Sequence, residues 1–331
     1  MAKRNLMLKS YCNQLFMVLL LICLFVLPSS ASSYELLVGT GETGSFSYFA
    51  GKAVCRAINK AEGDMMCRLV PSSSYTDNLT NVQSGSLDMA LVNSKMIYDA
   101  FHGRGLFQFV SLDYNQLRLL TPLYRMPITL IVRKNANISS VQDLAGKKVN
   151  SGAPFSLEEL VFNEIMAAEG WQTKSFSLLQ KLPAVNAQDF IALHSGDVQA
   201  MMHVGMHPDR RIEQSLAGKS TQIIGVNGQA IDRMIKGGSG FNRQSIPAGT
   251  YQRHDGSIET LSLESLLVTS ADADQEMVAT ILNAIFEARQ SLQYAHPSFL
   301  KETVTAETLN NSYLHPHPEA ILFFQANQGR L

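Results

Sequence analysis

Tyr34-Glu35-Leu36-Leu37-Val38-Gly39-Thr40-Gly41-Glu42-Thr43-Gly44-Ser45-Phe46-Ser47-Tyr48-Phe49-Ala50-Gly51 reads as a strand, a glycine-rich loop and the opening of a helix. Three glycines let the backbone turn sharply, and the first N–H groups of the following helix have no partner within it, so they point at whatever occupies the loop. Two architectures use this geometry. One is the Rossmann dinucleotide site, whose spacing Gly39-x-Gly41-x-x-Gly44 fits; the other is one wall of a small-solute cleft.

The Rossmann reading needs an acidic side chain at the end of the second strand to hold the ribose hydroxyls. That strand ends Leu69-Val70-Pro71-Ser72, and the nearest acids, Glu62 and Asp64, precede it. The dinucleotide reading fails there.

Upstream, Lys3, Arg4 and Lys9 lead into an apolar run over 15–27, then Pro28 and Ser29-Ser30-Ala31. This is the pattern of a secretory signal peptide over 1–31, cleaved after Ala31; the run is short of the roughly 18–20 residues that span a bilayer. An uncleaved anchor is the alternative. Without the leader the chain is mildly acidic, which argues against nucleic acid. Cys12 and Cys23 fall in the leader, leaving Cys55 and Cys67 either as a disulfide or as two buried thiols.

Strand-like and helix-like segments alternate through the rest of the chain, the pattern of an α/β protein with mostly parallel sheets. Residues 117–134 form a long apolar extended run punctuated by Pro122 and Pro127, which suits a crossing between two lobes, and 261–269 reads as the return crossing. A second α/β set lies between them, with 225–249 rich in loops, and a helix is expected over 274–294. The expected division is 34–124 plus 262–331 for one lobe and 125–261 for the other, with a cleft lined by loops at strand C-terminal ends.

Other chemistries find little support. His194, His203 and His207 cluster in sequence, but Gly205 breaks the helix that would make the last spacing useful for a metal. No G-x-S-x-G elbow is present, so a serine hydrolase using Ser47 or Ser156 lacks its motif. Neither a catalytic residue, a metal nor a cofactor is expected. Arg118, Arg125 and Arg133 flank the first crossing, and any one of them could pair with a carboxylate.

Several stretches occur in order and rough register: 39–51, Asp77-Asn78-Leu79, Ser84-Gly85-x-x-Asp88, Asp143-Leu144-x-Gly146-Lys147, Gly152-Ala153-Pro154, Gly205-x-His207-Pro208, Ile246-Pro247-Ala248-Gly249-Thr250-Tyr251 and Leu314-His315-Pro316. Together they resemble the TAXI-type solute-binding proteins of tripartite ATP-independent periplasmic (TRAP) transporters. The resemblance implies a two-lobed periplasmic-binding-protein fold (type II-like), two α/β lobes joined by two hinge crossings. It also implies a periplasmic, non-enzymatic receptor that closes on a small carboxylate or amino-acid-like solute, glutamate-like or a dicarboxylate, and delivers it to membrane permease subunits. The alternative partner is a membrane sensor kinase. By matching position, ligand contacts would come from Thr40, Thr43, Gly44, Tyr48, Ser72, Tyr75, Asn93 and Ser94 in the first lobe, and from Ala153, Pro154, Ser156, Glu158, Gly205 and His207 in the second.

The chain departs from the family pattern. Glu42, Ser73, Ser74, Phe155 and Leu157 stand where glycine is usual, Ser47 replaces tyrosine, Phe49 proline and Glu158 threonine. Glu158 at a helix start would repel a ligand carboxylate. It either caps its helix and faces water or receives an ammonium or hydroxyl group.

Overall fold

In the computed structural model, residues 34–61, 64–72, 75–110, 112–252, 254–310 and 312–328 are described. The expected leader and its cleavage point, Ser73, Ser74 and the Tyr75 side chain lie outside them. The first lobe begins with β1 (Tyr34–Thr40), α1 (Phe46–Ile58), β2 (Met65–Pro71), α2 (Tyr75–Gln83), β3 (Met89–Asn93) and α3 (Ser94–His102). β1 lies between β2 and β3 and runs parallel to both. Parallel strands require a crossover connection, and α1 and α2 supply it. Leu36 and Val38 of β1 are fully buried, as are Ala50 and Val54 of α1, so the strand's inward residues and one stripe of the helix share a core.

The first crossing, β4, spans Leu117–Arg133. The second lobe follows with β5 (Lys148–Asn150), α4 (Leu157–Glu169), β6 (Leu178–Gln180), α5 (Gln188–Ser195), β7 (Ala200–Val204), α6 (Arg210–Ala217), β8 (Thr221–Gly225), α7 (Gln229–Lys236) and β9 (Asn242–Ile246). The return crossing is β10 (Ile258–Ser270), and α8 (Gln275–Glu287), α9 (Arg289–Ala295), α10 (Ala306–Asn310) and α11 (Pro318–Ala326) complete the chain. α8 packs on α1 and α11, returning the C-terminal part to the first lobe.

The strand order β2-β1-β3-β10-β4-β7-β5-β6 shows how the two lobes share a hinge. β4 pairs antiparallel with β10 from Leu117 to Pro127, and from Ile128 onward it pairs with β7 and β8 instead. Pro122 has no N–H to give to a ladder. The register slips beside it, from Tyr124 opposite Ser265 to Pro122 opposite Leu266, and Leu123 turns its carbonyl to the Leu300 N–H at 2.7 Å. The crossing thus stays extended while its free edge is covered by the C-terminal segment.

Three sequence expectations change. The pairing is not mostly parallel, because the two long crossings β4 and β10 run antiparallel to each other, β10 to β3 and β9, and β4 to β7 and β8. The 225–249 region carries α7 and β9; Gly228, Gly237, Gly238 and Gly240 bracket a short amphipathic helix whose buried residues are Ala230 and Ile231. The helix expected over 274–294 divides at Ala288 into α8 and α9. Of the two readings of the cysteines, the bridge is formed: Cys55 on α1 and Cys67 on β2 have Cα atoms 5.1 Å apart and are disulfide-bonded.

Candidate functional site

The loops at the strand ends bring the two lobes into direct contact, and several expected ligand contacts are occupied in holding that geometry. Thr40 is fully buried at the end of β1; its carbonyl accepts from Asn78 Nδ2 and the Ser72 N–H, and its methyl faces Gly51. Thr43 and Gly44 are exposed at the loop tip, and Tyr48 is half-buried with its N–H donated to Ser45 Oγ, the cap of α1. Asn93 caps α3 by accepting from the Met96 N–H. Ser94 Oγ donates to the Gly240 carbonyl at 2.5 Å and accepts from the Glu264 N–H. A side chain at Gly240 would meet the Lys95 Cα at 2.7 Å, so only glycine lets this second-lobe loop lie on the start of α3.

On the second lobe, Ala153 is half-buried and Pro154 exposed in the loop that leads to α4, and Ser156 caps that helix by accepting from the Glu159 N–H. Ser156 is thus the N-cap residue, while the Glu158 carboxylate takes its own first-turn N–H. Glu158 is only partly exposed, and burial raises its carboxyl pKa above the usual range, opposed by its own N–H, the Ser156 hydroxyl and Arg211 and reinforced by Asp189. Arg211 and Asp189 are the charged residues that act on it. Asp189 is raised by burial too, while Arg211 lies over the Phe190 ring.

Gly205 ends β7 against the first lobe. A Cβ placed there would lie 2.2 Å from Cε2 of Phe46, the first residue of α1. The same ring meets His203 edge-on with centroids 6.2 Å apart. Gly205→Val is expected to displace Phe46 and weaken lobe closure by about 1–3 kcal/mol, the usual cost of overpacking. Small-angle scattering of the solute-saturated protein should then report a molecule wider than the solute-saturated parent. Phe46→Ala in the same chain should restore the compact form, and a Gly205→Val protein as compact as the parent would contradict this contact.

His203 and His207 are buried side by side, with ring centroids 5.4 Å apart. His207 Nδ1 and the Tyr251 hydroxyl are 2.6 Å apart, and the same hydroxyl accepts from the Asp209 N–H. Nε2 of each imidazole has no hydrogen-bond partner among the described residues, the Asp209 carboxylate standing 3.8 Å from His203. Burial pushes His203 down to about 4, with Asp209 opposing and Arg211 reinforcing, and it pushes His207 well below 6.5 as well. The unfolded chain protonates His203 near 6.5 and the folded chain only near 4, so between those values the unfolded state binds more protons and stability falls as pH falls. Glu158, Asp99 and Asp189, held above their ordinary values, act in the opposite sense. The His203 contribution is isolated by comparing the parent with His203→Gln: between about pH 7 and about pH 5 the parent should lose about 2 kcal/mol more, measured by urea unfolding. Parallel pH profiles would contradict it.

A cavity of about 730 Å³ lies beside the crossing strands. Pro122, Tyr124, Arg125 and Glu264 belong to the crossings; Asn242 and residues 244–250 supply one wall, and Pro297, Ser298 and residues 300–304 the other. Of the expected ligand contacts only His207 lines it. His207 and Pro208 are tied across the lobes, the His207 carbonyl accepting from Ser298 Oγ at 2.7 Å and the Pro208 carbonyl lying 3.1 Å from His296 Nε2. Arg118 and Arg133 donate to backbone carbonyls, leaving Arg125 as the crossing arginine in the cavity wall. Glu264 is absent from the expected contacts; the sequence signal that marks it is a carboxylate inside an apolar crossing strand. Among the described residues no group of three or more His, Cys, Asp or Glu side chains is arranged to hold a metal, and no helix is long and apolar enough to cross a membrane.

The architecture is similar to that of known binding proteins. A TctC solute-binding protein from Polaromonas aligns with 14% identity over 90% of this chain and 99% of that one, at a TM-score of 0.54. The periplasmic aliphatic sulphonate binding protein SsuA from Escherichia coli aligns with 14% identity over 88% of this chain and 78% of that one, at 0.46. A substrate-binding protein of an ABC uptake transporter from Streptococcus pneumoniae, solved with bound histidine, aligns with 11% identity over 81% and 94%, at 0.48. Residues 38–327 match the NMT1-like family, and the chain belongs to it.

Proposed function

We propose that the protein is an exported, non-enzymatic solute receptor of the TAXI type, which captures a small carboxylate or amino-acid-like solute between its lobes and delivers it to a TRAP-type permease. The observation that carries this reading is a cavity of about 730 Å³ whose walls come from both lobes and whose floor is the pair of crossing strands. That volume lies within the range of small-molecule sites, and a hinge lets such a space open and close. The lobe division 34–124 plus 262–331 and 125–261, and the contact at His207, belong to the same proposal; the other loop contacts implied by the family resemblance do not line this cavity.

A molecule that binds only the folded form raises the melting temperature by mass action. Thermal unfolding of the mature chain with amino acids, keto acids and dicarboxylates at millimolar concentration is expected to give a rise with at least one of them. No rise with any member of the panel would overturn the receptor reading.

A further inference from the structure

We infer that the hinge cavity holds its ligand by an Arg125–Glu264 clamp, and that the ligand is a small zwitterion carrying a carboxylate and an ammonium group. The inference rests on the receptor reading and assigns it a site other than the loops implied by the family resemblance. Arg125 on β4 stands opposite Glu264 on β10 in the antiparallel ladder, so the two charged side chains reach the cavity from adjacent strands.

Arg125 is held but not saturated. Nη1 donates to Gln244 Oε1 at 2.9 Å, Nε is 3.3 Å from Glu264 Oε1, and Nη1 is 4.0 Å from Glu302 Oε1. Its Nε is buried without a hydrogen-bond partner. A guanidinium has five N–H donors, so Arg125 can still take a carboxylate in a two-bond fork. The Glu302 side chain is 56% exposed and stands at the limit of ion pairing, so a ligand carboxylate can take its place without opening the fold.

Charge balance selects the ligand class. Arg125 and Lys301 face Glu264 and Glu302 around the cavity, two cations against two carboxylates. A plain carboxylate would leave an excess negative charge beside Glu264, and a plain amine would leave Arg125 without its fork partner. A zwitterion satisfies both, its carboxylate on Arg125 and its ammonium on the Glu264 carboxylate. Pro122, Pro208, Pro247 and Leu300 form apolar lining for the remainder of the molecule.

The test measures affinity by calorimetry for L-alanine, L-leucine, L-glutamate, L-glutamine and L-arginine, each beside its matched 2-hydroxy acid and its decarboxylated amine. The parent, Arg125→Gln, Ala248→Trp and Glu158→Gln are compared. Because Arg125 also anchors β4 to Gln244, Ala248→Trp provides a second route: Ala248 is exposed in the turn that lines the cavity, and a tryptophan there fills the space without removing a bond of the fold. The parent should bind at least one amino acid and neither of its analogues, and Arg125→Gln should weaken binding roughly 10- to 100-fold, as loss of a charged fork does. Ala248→Trp should abolish it.

Binding that survives both substitutions, or that only Glu158→Gln removes, overturns the clamp and leaves the receptor reading intact. Preference for the hydroxy acid or the amine overturns the zwitterion assignment in the same way. Absence of binding by every compound in the parent overturns the receptor reading itself, and the clamp with it.

Discussion

Replacing Lys95 by methionine is expected to lower the unfolding free energy by about 3–5 kcal/mol, because breaking a buried ion pair from one side leaves a charge without a partner. Lys95 opens α3 and is buried, yet its ammonium touches both oxygens of Asp99 at 2.6 Å and Glu164 of α4, in the other lobe, at 3.0 Å. Burial raises the Asp99 carboxyl with a smaller push from Glu164, and the hydrogen bond and charge of Lys95 oppose that rise, with Arg104 adding less. Without Lys95, Asp99 must either stay charged in a poor solvent or take up a proton. Adding Asp99→Asn to Lys95→Met should therefore recover part of the loss. Urea titration followed by circular dichroism measures both. A Lys95→Met protein with an unchanged midpoint, or a double variant less stable than the single one, would contradict this arrangement.

Removing the Cys55–Cys67 bridge should cost about 3 kcal/mol in the chain-entropy picture, since a cross-link over a short loop limits the unfolded ensemble. The cysteines are 12 residues apart in sequence and join α1 to β2. Both are buried, so Cys55→Ala with Cys67→Ala removes little packing volume beyond the sulfurs. Excess dithiothreitol should lower the melting temperature of the parent and leave the double-alanine protein unaffected. Equal responses in the two proteins would mean that the bridge does not contribute.

Much of the fold was legible because it rests on patterns with physical periods. The apolar run of β4 with its two prolines, the return at β10, and the strand–loop–helix of 34–58 are long or strongly punctuated signals, and each appears where expected. α7 and β9 were not legible. Both are short, and the glycines around them read as loop because the sequence does not reveal that Gly240 exists to lie against Lys95.

The site was harder to read for the same reason. Loop residues with hydroxyl or amide groups look like ligand contacts, yet Asn93, Ser94 and Ser156 spend those groups on helix caps and on the contact between lobes. Arg125 and Glu264 lie far apart in sequence, and their pairing follows from strand register. Glu158 resolves differently: it stood as either a cap or a ligand group, and Ser156 takes the cap while burial keeps Glu158 from behaving as a surface carboxylate.

A solute that bridges the two lobes should close this hinge. The most direct measurement is the distance between fluorophores placed at exposed Lys52 of the first lobe and exposed Lys174 of the second, each replaced by cysteine, as an amino acid that raises the melting temperature is added. A saturable shift to one shorter distance is expected, with the same midpoint as binding and absent in Gly205→Val. A distance that stays constant through saturation of binding would contradict it.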